Sequence, residues 1–352
     1  MRIDILRKNI LEAGADAALV TSEANVRYYS GFTGTGSQLL ITPEKKLFFT
    51  DFRYTEHAQA ETDFTVIETK SDERVKTIFE YARKEGIRRI GVDLESVPYC
   101  VFKQYLEQTD EDSIIDVSAQ IFSQRCVKDE GEIELIARGA ALNDEIFTHL
   151  CGVLKPGVSE TDIKAEIIYY MLKRGADPAF DPIVASGRNS SLPHAVPSGR
   201  KAQAGDLVTM DYGSRFSGYC SDFTRTVALS HIDKEMQTVY DIVKRAGEAA
   251  FEALKGGAKA RDVDAAARDM IAEAGYAEAF GHGLGHGVGL FIHEAPTLNH
   301  SSDEALKEGM IVTIEPGIYL KGRFGVRIEE LWVVTKGGFK NLTSAPRELI
   351  II

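Results

Sequence analysis

Residues 207–213 read Leu-Val-Thr-Met-Asp-Tyr-Gly, and residues 219–226 read Tyr-Cys-Ser-Asp-Phe-Thr-Arg-Thr. Both stretches favour β-strands, and the segment between them has the composition of a turn, so the sequence predicts a hairpin. If the turn centres between Phe216 and Ser217, Asp211 and Asp222 face each other about 5 Å apart at Cβ, where like charges destabilise a sheet. A cation between the two aspartates would remove that repulsion.

A second pair of carboxylates repeats this arrangement. Glu315, in Val-Thr-Ile-Glu-Pro-Gly, and Glu329, in Gly-Val-Arg-Ile-Glu, lie at equal separations from Gly322. A hairpin centred on this glycine places the two glutamates opposite each other. Either carboxylate pair alone is more often the solvated face of a hairpin. The two pairs together favour a site that binds metal ions.

A glycine-rich segment lies between the two pairs. It reads Gly281-His282-Gly283-Leu284-Gly285-His286-Gly287-Val288-Gly289 and is followed by His293, which places three of the eight histidines within twelve residues. The backbone is too rich in glycine for a stable helix. A flexible surface loop or a phosphate-binding loop is the alternative, but no register fits GxGxxG. The sequence also has no P-loop, GxSxG or HExxH motif, which excludes zincin and serine-hydrolase chemistry.

Four carboxylates and the imidazole of His286 form an oxygen-rich ligand set. Such a set suits two ions such as Mn²⁺ or Co²⁺ better than a thiolate-bound zinc centre. Two ions that share carboxylates commonly activate a water between them as a nucleophile near neutral pH. The ligand types therefore indicate metal-dependent hydrolysis.

The 352 residues exceed the usual size of one hydrophobic core, so we expect two domains. A formal charge of −12 argues against nucleic-acid binding, which needs clustered Lys and Arg, and favours a small or peptide substrate.

The N-terminus lacks the apolar region of an export signal, and no later stretch reaches membrane-spanning length. Four cysteines form no CxxC pair, which fits a reducing compartment. We expect a cytoplasmic protein.

Alternating strand and helix patterns predict a small α/β domain over residues 1–122. Its expected strands are 17–21, 39–42, 47–50, 64–67 and 89–92, and its expected helices are 2–13, 53–61, 73–85 and 98–108. A second domain is expected over residues 123–352. Its expected helices are 129–150, 159–174, 233–254 and 259–274, and its expected strands are 206–212, 219–229, 310–315 and 326–335. This order indicates a duplicated unit of two helices and a hairpin.

The chain resembles the prolidase and aminopeptidase P family in the order and surroundings of its candidate ligands: Asp211, Asp222 eleven residues later, His286 in GHGLGHGVG, Glu315 in TIEPGIY and Glu329 in GVRIEE. Residues 125–138, 180–187 and 192–198 resemble further family segments, as does the first domain, so the resemblance covers most of the chain. It implies an α+β fold, with a creatinase-like α/β domain at 1–122 and a pita-bread catalytic domain at 123–352. Methionine aminopeptidases share the ligand set but lack the first domain.

The resemblance also implies which residues hold the metal. Asp211, Asp222 and Glu329 would hold one divalent ion. Asp222, His286, Glu315 and Glu329 would hold the other, with Glu315 also acting as proton carrier. Mn²⁺ is the first expectation, with Co²⁺ or Zn²⁺ as alternatives.

Four further residues receive substrate-side roles by the same resemblance. His194 and His293 would contact the substrate and stabilise the developing oxyanion. His282 would line the proline side, and Arg327 would hold the metal ligands in place. On their own, His194 could be a loop residue, His282 and His293 core histidines, and Arg327 a simple partner of Glu329.

The implied activity is that of an Xaa-Pro dipeptidase, or alternatively of an Xaa-Pro aminopeptidase that acts on longer peptides with proline in second position. Some family dipeptidases carry an arginine shortly after the His-Glu that corresponds to 293–294, where this chain has Ala-Pro-Thr297. Arg323 is another candidate for holding the peptide carboxylate. A non-catalytic peptide-binding relative is the remote alternative, which the intact ligand set disfavours. A homodimer is expected, because the family often dimerises through its N-terminal domains.

Overall fold

The computed structural model describes residues 2–254, 257–336 and 338–352. The chain divides into two compact units, Met1–Arg125 and Cys126–Ile352. The expected domain boundary after residue 122 falls within the helix Ser118–Cys126 and stays a prediction. No helix in the described ranges is both long and apolar enough to cross a membrane.

A six-stranded sheet forms the centre of the first unit. The strands are β1 (Ala17–Val20), β2 (Gln38–Ile41), β3 (Lys46–Thr50), β4 (Thr65–Glu68), β5 (Ile90–Val92) and β6 (Ile114–Asp116). The helices are α1 (Arg2–Glu12), α2 (Glu23–Ser30), α3 (Thr55–Glu61), α4 (Arg74–Lys84), α5 (Tyr99–Leu106) and α6 (Ser118–Cys126). The strand order is β4-β3-β2-β1-β5-β6, in which β2 is antiparallel to both of its neighbours and the other pairs are parallel. The predicted α/β character is confirmed.

Three elements of this unit were not indicated by the sequence patterns. They are α2, α6 and β6, which have only eight, nine and three residues. Segments this short contain too few apolar repeats to show a helical or strand period. Local capping defines α2 instead, because Ser22 accepts a hydrogen bond from the backbone of Asn25 and Gly31 ends the helix in the left-handed region.

The second unit contains four long helices and thirteen short strands in its described part. The helices are α7 (Glu130–Val153), α8 (Glu160–Lys173), α9 (Lys234–Ala253) and α10 (Ala260–Glu273). The strands are β7 (Asp177–Pro178), β8 (Ile183–Ser186), β9 (Leu207–Asp211), β10 (Ser214–Phe216), β11 (Tyr219–Cys220), β12 (Thr224–Ala228), β13 (Gly285–Gly287), β14 (Glu294–Leu298), β15 (Ile311–Ile314), β16 (Gly317–Leu320), β17 (Phe324–Arg327), β18 (Glu330–Thr335) and β19 (Gly338–Asn341). All four helices lie within two residues of their predicted bounds, apart from the C-terminal end of α7.

Two of the apolar clusters in this unit hold the helix pairs against the sheets. Helices α7 and α8 pack with β8, β9 and β12 around residues such as Ile146, Ile167 and Val208. Helices α9 and α10 pack around residues such as Val243 and Ile271, together with strands of the sheet β14-β13-β15-β18-β19. The chain therefore passes twice through a helix pair and then a hairpin, in the order that the sequence predicted.

The first hairpin has a different register from the one considered in the sequence. Asp211 pairs with Thr224, and Phe216 pairs with Tyr219, so the turn centres between Ser217 and Gly218. Both of these residues have positive φ, 46° and 83°. A two-residue hairpin turn of this type favours glycine, which the Phe216–Ser217 position lacks. The expected register would have placed Asp222 directly opposite Asp211, but in the structure Thr224 takes that place.

The second hairpin has the predicted register. Leu320 pairs with Phe324 around Gly322, and beyond the bend Ile314 pairs with Glu330. Gly322 takes up the required positive φ of 74°. The same register therefore holds on both sides of Glu315 and Glu329.

Candidate metal centre and active site

The four candidate carboxylates lie where strands end or where the chain passes from one strand to the next. Asp211 is the last residue of β9, and Asp222 lies between β11 and β12. Glu315 follows β15, and Glu329 lies between β17 and β18. Ligand atoms of Asp211, Asp222 and Glu329 all lie within 4.8 Å of one another. The two hairpins thus bring their carboxylates to one place.

The imidazole of His286 joins this cluster from β13. Its Nε2 lies 3.6 Å from Oδ2 of Asp222 and 3.4 Å from Oε1 of Glu315. Its Nδ1 lies 3.0 Å from the carbonyl oxygen of Gly287. A carbonyl can only accept, so this hydrogen bond places the proton on Nδ1 and leaves the lone pair of Nε2, on the side of the carboxylates, available to bind a metal ion.

The glycines around His286 allow the backbone to approach its neighbours closely. A Cβ on Gly285 would lie 2.0 Å from the carbonyl oxygen of Thr313, and one on Gly287 would lie 2.3 Å from that of Ala295. Residues 285–287 form β13, which pairs with β14 and β15. The flexible-loop interpretation of this segment is therefore wrong.

Burial and mutual repulsion dominate the electrostatics of the cluster. Burial, with the charges of nearby carboxylates, raises the pKa values of Asp222 and Glu329 well above their ordinary range. Burial raises the pKa of Glu315 to about 7 and lowers that of His286 to about 4. Each pKa shift arises because burial disfavours the charged form of a group that lacks a sufficient counter-charge.

The two carboxylate oxygens of Glu329 differ in their hydrogen bonding. Oε2 accepts a hydrogen bond of 2.8 Å from the hydroxyl of Thr224, whereas Oε1 is buried and accepts none among the described residues. An unsatisfied buried carboxylate oxygen that faces other carboxylates fits a metal ion, because a cation would satisfy the oxygen and offset the repulsion.

Arg327 supplies the one guanidinium that pairs with the cluster in the described chain. It forms an ion pair with Asp211, not the pair with Glu329 that was its alternative interpretation. Burial alone would lower the pKa of Arg327, but Tyr319, Asp211 and Glu315 raise it well above its ordinary value. The guanidinium therefore stays charged and holds Asp211 in place.

The remaining candidate histidines border the cluster. The ring of His293 lies 4.4 Å from that of His286, edge to face. Burial has the largest effect on the pKa values of Asp211, His282 and His293, and nearby His194 acts in each case to lower them. His194 and His293 are both exposed to solvent. The structure therefore places the predicted substrate-side histidines beside the predicted metal ligands.

Comparison with known proteins now identifies the family. Residues 134–336 match the model of metallopeptidase family M24, and residues 2–127 match the creatinase/prolidase N-terminal domain. The chain is 37% identical to an Xaa-Pro dipeptidase of Pyrococcus horikoshii over 99% of this chain and 97% of the relative. The chain belongs to metallopeptidase family M24.

Two solved structures extend this finding to the whole fold. An Xaa-Pro dipeptidase from Bacillus anthracis is 38% identical, with a TM-score of 0.95 over 100% of this chain and 99% of that chain. An X-Pro aminopeptidase from Thermotoga maritima is 37% identical, with a TM-score of 0.91 over 98% of this chain and 100% of that chain. The α+β fold, with a creatinase-like domain before an M24 pita-bread domain, is confirmed. The chain is a hydrolase of the M24 metallopeptidases, a family that implies divalent metal ions.

Tyr319 of this M24 peptidase was missed by the sequence analysis. Its hydroxyl accepts a hydrogen bond of 2.8 Å from Arg327 and lies 3.0 Å from Nε2 of His282. Nδ1 of His282 lies 2.8 Å from the carbonyl oxygen of Gly283, so Nε2 is free to accept from the tyrosine. The hairpin register offered a signal, because Arg327 pairs with Gly317 and Tyr319 lies two residues along on the same face.

Two ion pairs hold the histidine segments of the M24 peptidase. Arg268, paired with Asp264, donates to the carbonyl oxygen of His282 at 2.8 Å. Lys128 and Glu294 form a nearly fully buried ion pair with 3.4 Å between Nζ and Oε2. Glu294 directly follows His293, so this pair anchors the chain beside that histidine.

Replacing Tyr319 by phenylalanine tests the link from Arg327 to His282. The substitution removes only the hydroxyl and leaves a buried guanidinium donor without its partner. A hydrogen bond to a charged group contributes about 1.5–3 kcal/mol, so we expect kcat/KM to fall by roughly 10-fold or more. Steady-state kinetics of Tyr319→Phe, with metal content measured in parallel, provide the test.

Tyr240→Phe is the matched control. Tyr240 is another buried tyrosine of this unit, and its hydroxyl donates to the carbonyl oxygen of Arg347 at 3.0 Å. This variant should keep its kinetic constants. An equal fall of kcat/KM in both variants would show that general destabilisation, and not the link to His282, explains the effect.

Proposed function

We propose that this M24 peptidase is an Xaa-Pro dipeptidase, with Xaa-Pro aminopeptidase activity on longer peptides as the alternative. The observation that carries the proposal is the buried cluster of four carboxylates with the imidazole of His286, since such a cluster needs cations to be stable. The substrate class follows from the relatives named above, which are Xaa-Pro dipeptidases and an X-Pro aminopeptidase.

The cluster is proposed to hold two divalent ions. Asp211, Asp222 and Glu329 would bind one, and Asp222, His286, Glu315 and Glu329 would bind the other. Mn²⁺ is the first candidate because carboxylate oxygens dominate the set, and Co²⁺ or Zn²⁺ are the alternatives. When bound, such ions polarise a carbonyl group and make water nucleophilic near neutral pH.

The chain's own residues bind and orient the peptide and move its protons. Glu315 is proposed as the proton carrier, and its Oε1 accepts a hydrogen bond of 3.3 Å from Thr313, which fixes the carboxylate. His194 and His293 are exposed beside the cluster, where they can donate hydrogen bonds to the oxygen on which negative charge develops. His282 is proposed to line the proline side, held by Tyr319.

Selection for proline follows from the chemistry of the bond. The peptide nitrogen of proline carries no hydrogen, so a site that recognises an N–H donor cannot bind it in the usual way. A pocket that accepts the ring replaces that contact. Activity on longer peptides stays the alternative because Thr297 stands where some family dipeptidases have arginine. Arg323, the other candidate for holding the peptide carboxylate, forms an ion pair with Glu235.

A homodimer in the cytoplasm is also proposed. The dimer rests on the resemblance to a family that often dimerises through its N-terminal domains. The location rests on the four free thiols, Cys100, Cys126, Cys151 and Cys220, which fit a reducing compartment. The net charge of −12 supports a peptide substrate over nucleic acid.

Metal content tests the ligand assignment. Wild-type protein should carry two ions per chain, measured by inductively coupled plasma mass spectrometry, and chelation should abolish activity. Asp222→Asn should lose both ions because Asp222 is assigned to each, whereas His286→Ala should lose one. Asp93→Asn is the control, since Asp93 is a buried aspartate of the first unit that bonds Asn25 and Thr21. Two ions retained in Asp222→Asn would contradict the assignment.

The substrate-side histidines are tested by His194→Ala and His293→Ala. Because these residues are proposed to act on the substrate, each variant should keep its metal while kcat falls by about 10²-fold or more. His149→Ala serves as control, since His149 bonds Glu166 between helices α7 and α8. Loss of metal would argue for a ligand role instead, and a change confined to KM would mean ground-state binding only.

Substrate selection is tested with dipeptides and tripeptides of matched composition. The proline ring buries methylenes that alanine lacks, at about 0.8 kcal/mol each, so Xaa-Pro should be preferred over Xaa-Ala by roughly 10- to 200-fold. Dipeptides should be hydrolysed fastest, with measurable turnover of an Xaa-Pro-Xaa tripeptide. Equal rates on Xaa-Pro and Xaa-Ala would refute proline specificity. Turnover of no peptide by fully metallated protein would leave the non-catalytic relative as the explanation.

A further inference from the structure

His194 lies on a connecting segment, residues 186–198, that we call the His194 arch. The arch leaves the last residue of β8, passes through a short 3₁₀ turn at Gly187–Ser191 and continues to Ser198. His194 is exposed near its middle. The position of this imidazole therefore depends on what fixes the arch.

One buried carboxylate bonds both ends of the arch. Oε1 of Glu160 accepts hydrogen bonds from the backbone nitrogen and the hydroxyl of Ser186, both at 2.8 Å. Oε2 accepts from the backbone nitrogen of Ser198 at 3.0 Å and from its hydroxyl at 2.7 Å. The side-chain amide of Asn189 adds a bond of 3.0 Å to Oε1. Glu160 thus closes the segment into a loop.

The charge of Glu160 is suited to this position. The residue is 0% exposed, which is costly for a carboxylate unless hydrogen bonds replace its hydration. Burial raises its pKa, but the bonds from Ser198, Ser186 and Asn189 outweigh this effect, so the pKa lies below its usual value. Glu160 is also the first residue of α8, where the helix dipole favours a negative charge.

The middle of the arch is attached to the second hairpin. The hydroxyl of Ser190 accepts a hydrogen bond of 2.9 Å from the backbone nitrogen of Gly325, and that of Ser191 accepts one of 3.1 Å from Gly322. The carbonyl oxygen of Pro193 lies 3.4 Å from Nη1 of Arg327. The residue before His194 therefore contacts the guanidinium that pairs with Asp211.

We propose that Glu160 is a positioning residue for His194. By fixing both ends of the arch, it allows the contacts in the middle to hold the imidazole beside the carboxylate cluster. The proposal rests on the substrate-side function of His194. A misplacement of about 1 Å in a group that acts on the substrate can lower a rate by roughly 10²-fold, so the tether matters although Glu160 itself touches no substrate.

Glu160→Gln is the primary variant. Glutamine has nearly the same shape, but its amide nitrogen cannot accept the backbone hydrogen of Ser198. The Ser198 end of the arch then loses this bond and keeps the one from the backbone nitrogen of Thr161 to the carbonyl oxygen of Ser198. We expect kcat to fall by about 10-fold or more with metal content unchanged. Asp162→Asn is the matched control, because Asp162 caps the same helix through Ser159 and forms no bond to the arch. Its kcat should equal that of the wild type.

A double-mutant cycle with His194→Ala separates positioning from general structural damage. If Glu160 acts through His194, Glu160→Gln should change kcat less than about 2-fold once the imidazole is absent. The same fall in both backgrounds would overturn the positioning role while leaving that of His194 intact. An unchanged kcat in His194→Ala alone would refute the substrate-side function and, with it, this proposal.

Hydrogen exchange on the metal-free protein gives a readout that is independent of turnover. The backbone amide of Ser198 should exchange faster in Glu160→Gln than in the wild type, and it should keep its wild-type rate in Asp162→Asn. Unchanged exchange in Glu160→Gln would overturn the proposal. If that variant fails to fold, Ser198→Ala removes a single hydroxyl donor from the same carboxylate, and its effect on kcat should likewise disappear in the His194→Ala background.

Discussion

The burial of like charges at the centre of the second unit constrains the structure around it. Ligand atoms of three carboxylates lie within 4.8 Å of one another, and a fourth carboxylate adjoins them through His286. Carboxylates this close and this buried cannot all ionise without a counter-charge. Arg327 supplies one positive charge at Asp211, yet the pKa values of Asp222 and Glu329 stay far above their ordinary range. Protons or added cations are therefore needed to neutralise the cluster, and its oxygen-rich ligand set fits divalent cations.

The carboxylates can meet because each lies at an irregularity in a hairpin. The backbone nitrogen of Glu329 bonds the carbonyl oxygen of Thr224 on the other hairpin, and that of Glu315 bonds the carbonyl oxygen of Leu284. These bonds replace ladder bonds at the points where the strands change partners. A continuous strand would point successive side chains to opposite faces of one sheet, whereas these bends direct side chains from two hairpins toward one point.

The sequence predicted the second hairpin better than it predicted the groups that support the candidate site. Gly322 marks the centre of the second hairpin, so the pairing around Glu315 and Glu329 could be derived from spacing alone. The first hairpin was misplaced by one residue because its turn was centred before Ser217, although Gly218 suits the second position of a two-residue turn. Glu160 and Lys128 act on residues more than twenty-five positions away in the chain. No periodicity or motif encodes such contacts, because tertiary packing creates them.

The site therefore combines two kinds of group with different structural needs. The candidate metal ligands lie on or beside paired strands, which suits groups that must keep fixed mutual distances. The histidines proposed to touch the peptide, His194 and His293, are exposed side chains on connecting segments, where a substrate can reach them and leave again.

Connecting segments are mobile unless something fixes them, and here buried charged groups fix two of them. Glu160 bonds the ends of the His194 arch, and the Lys128–Glu294 pair adjoins His293. A buried charge that is fully hydrogen-bonded or paired is costly to displace, so it restricts a loop more strongly than an apolar contact of similar size. The histidines on these segments can therefore be accessible to the substrate and still keep a fixed orientation.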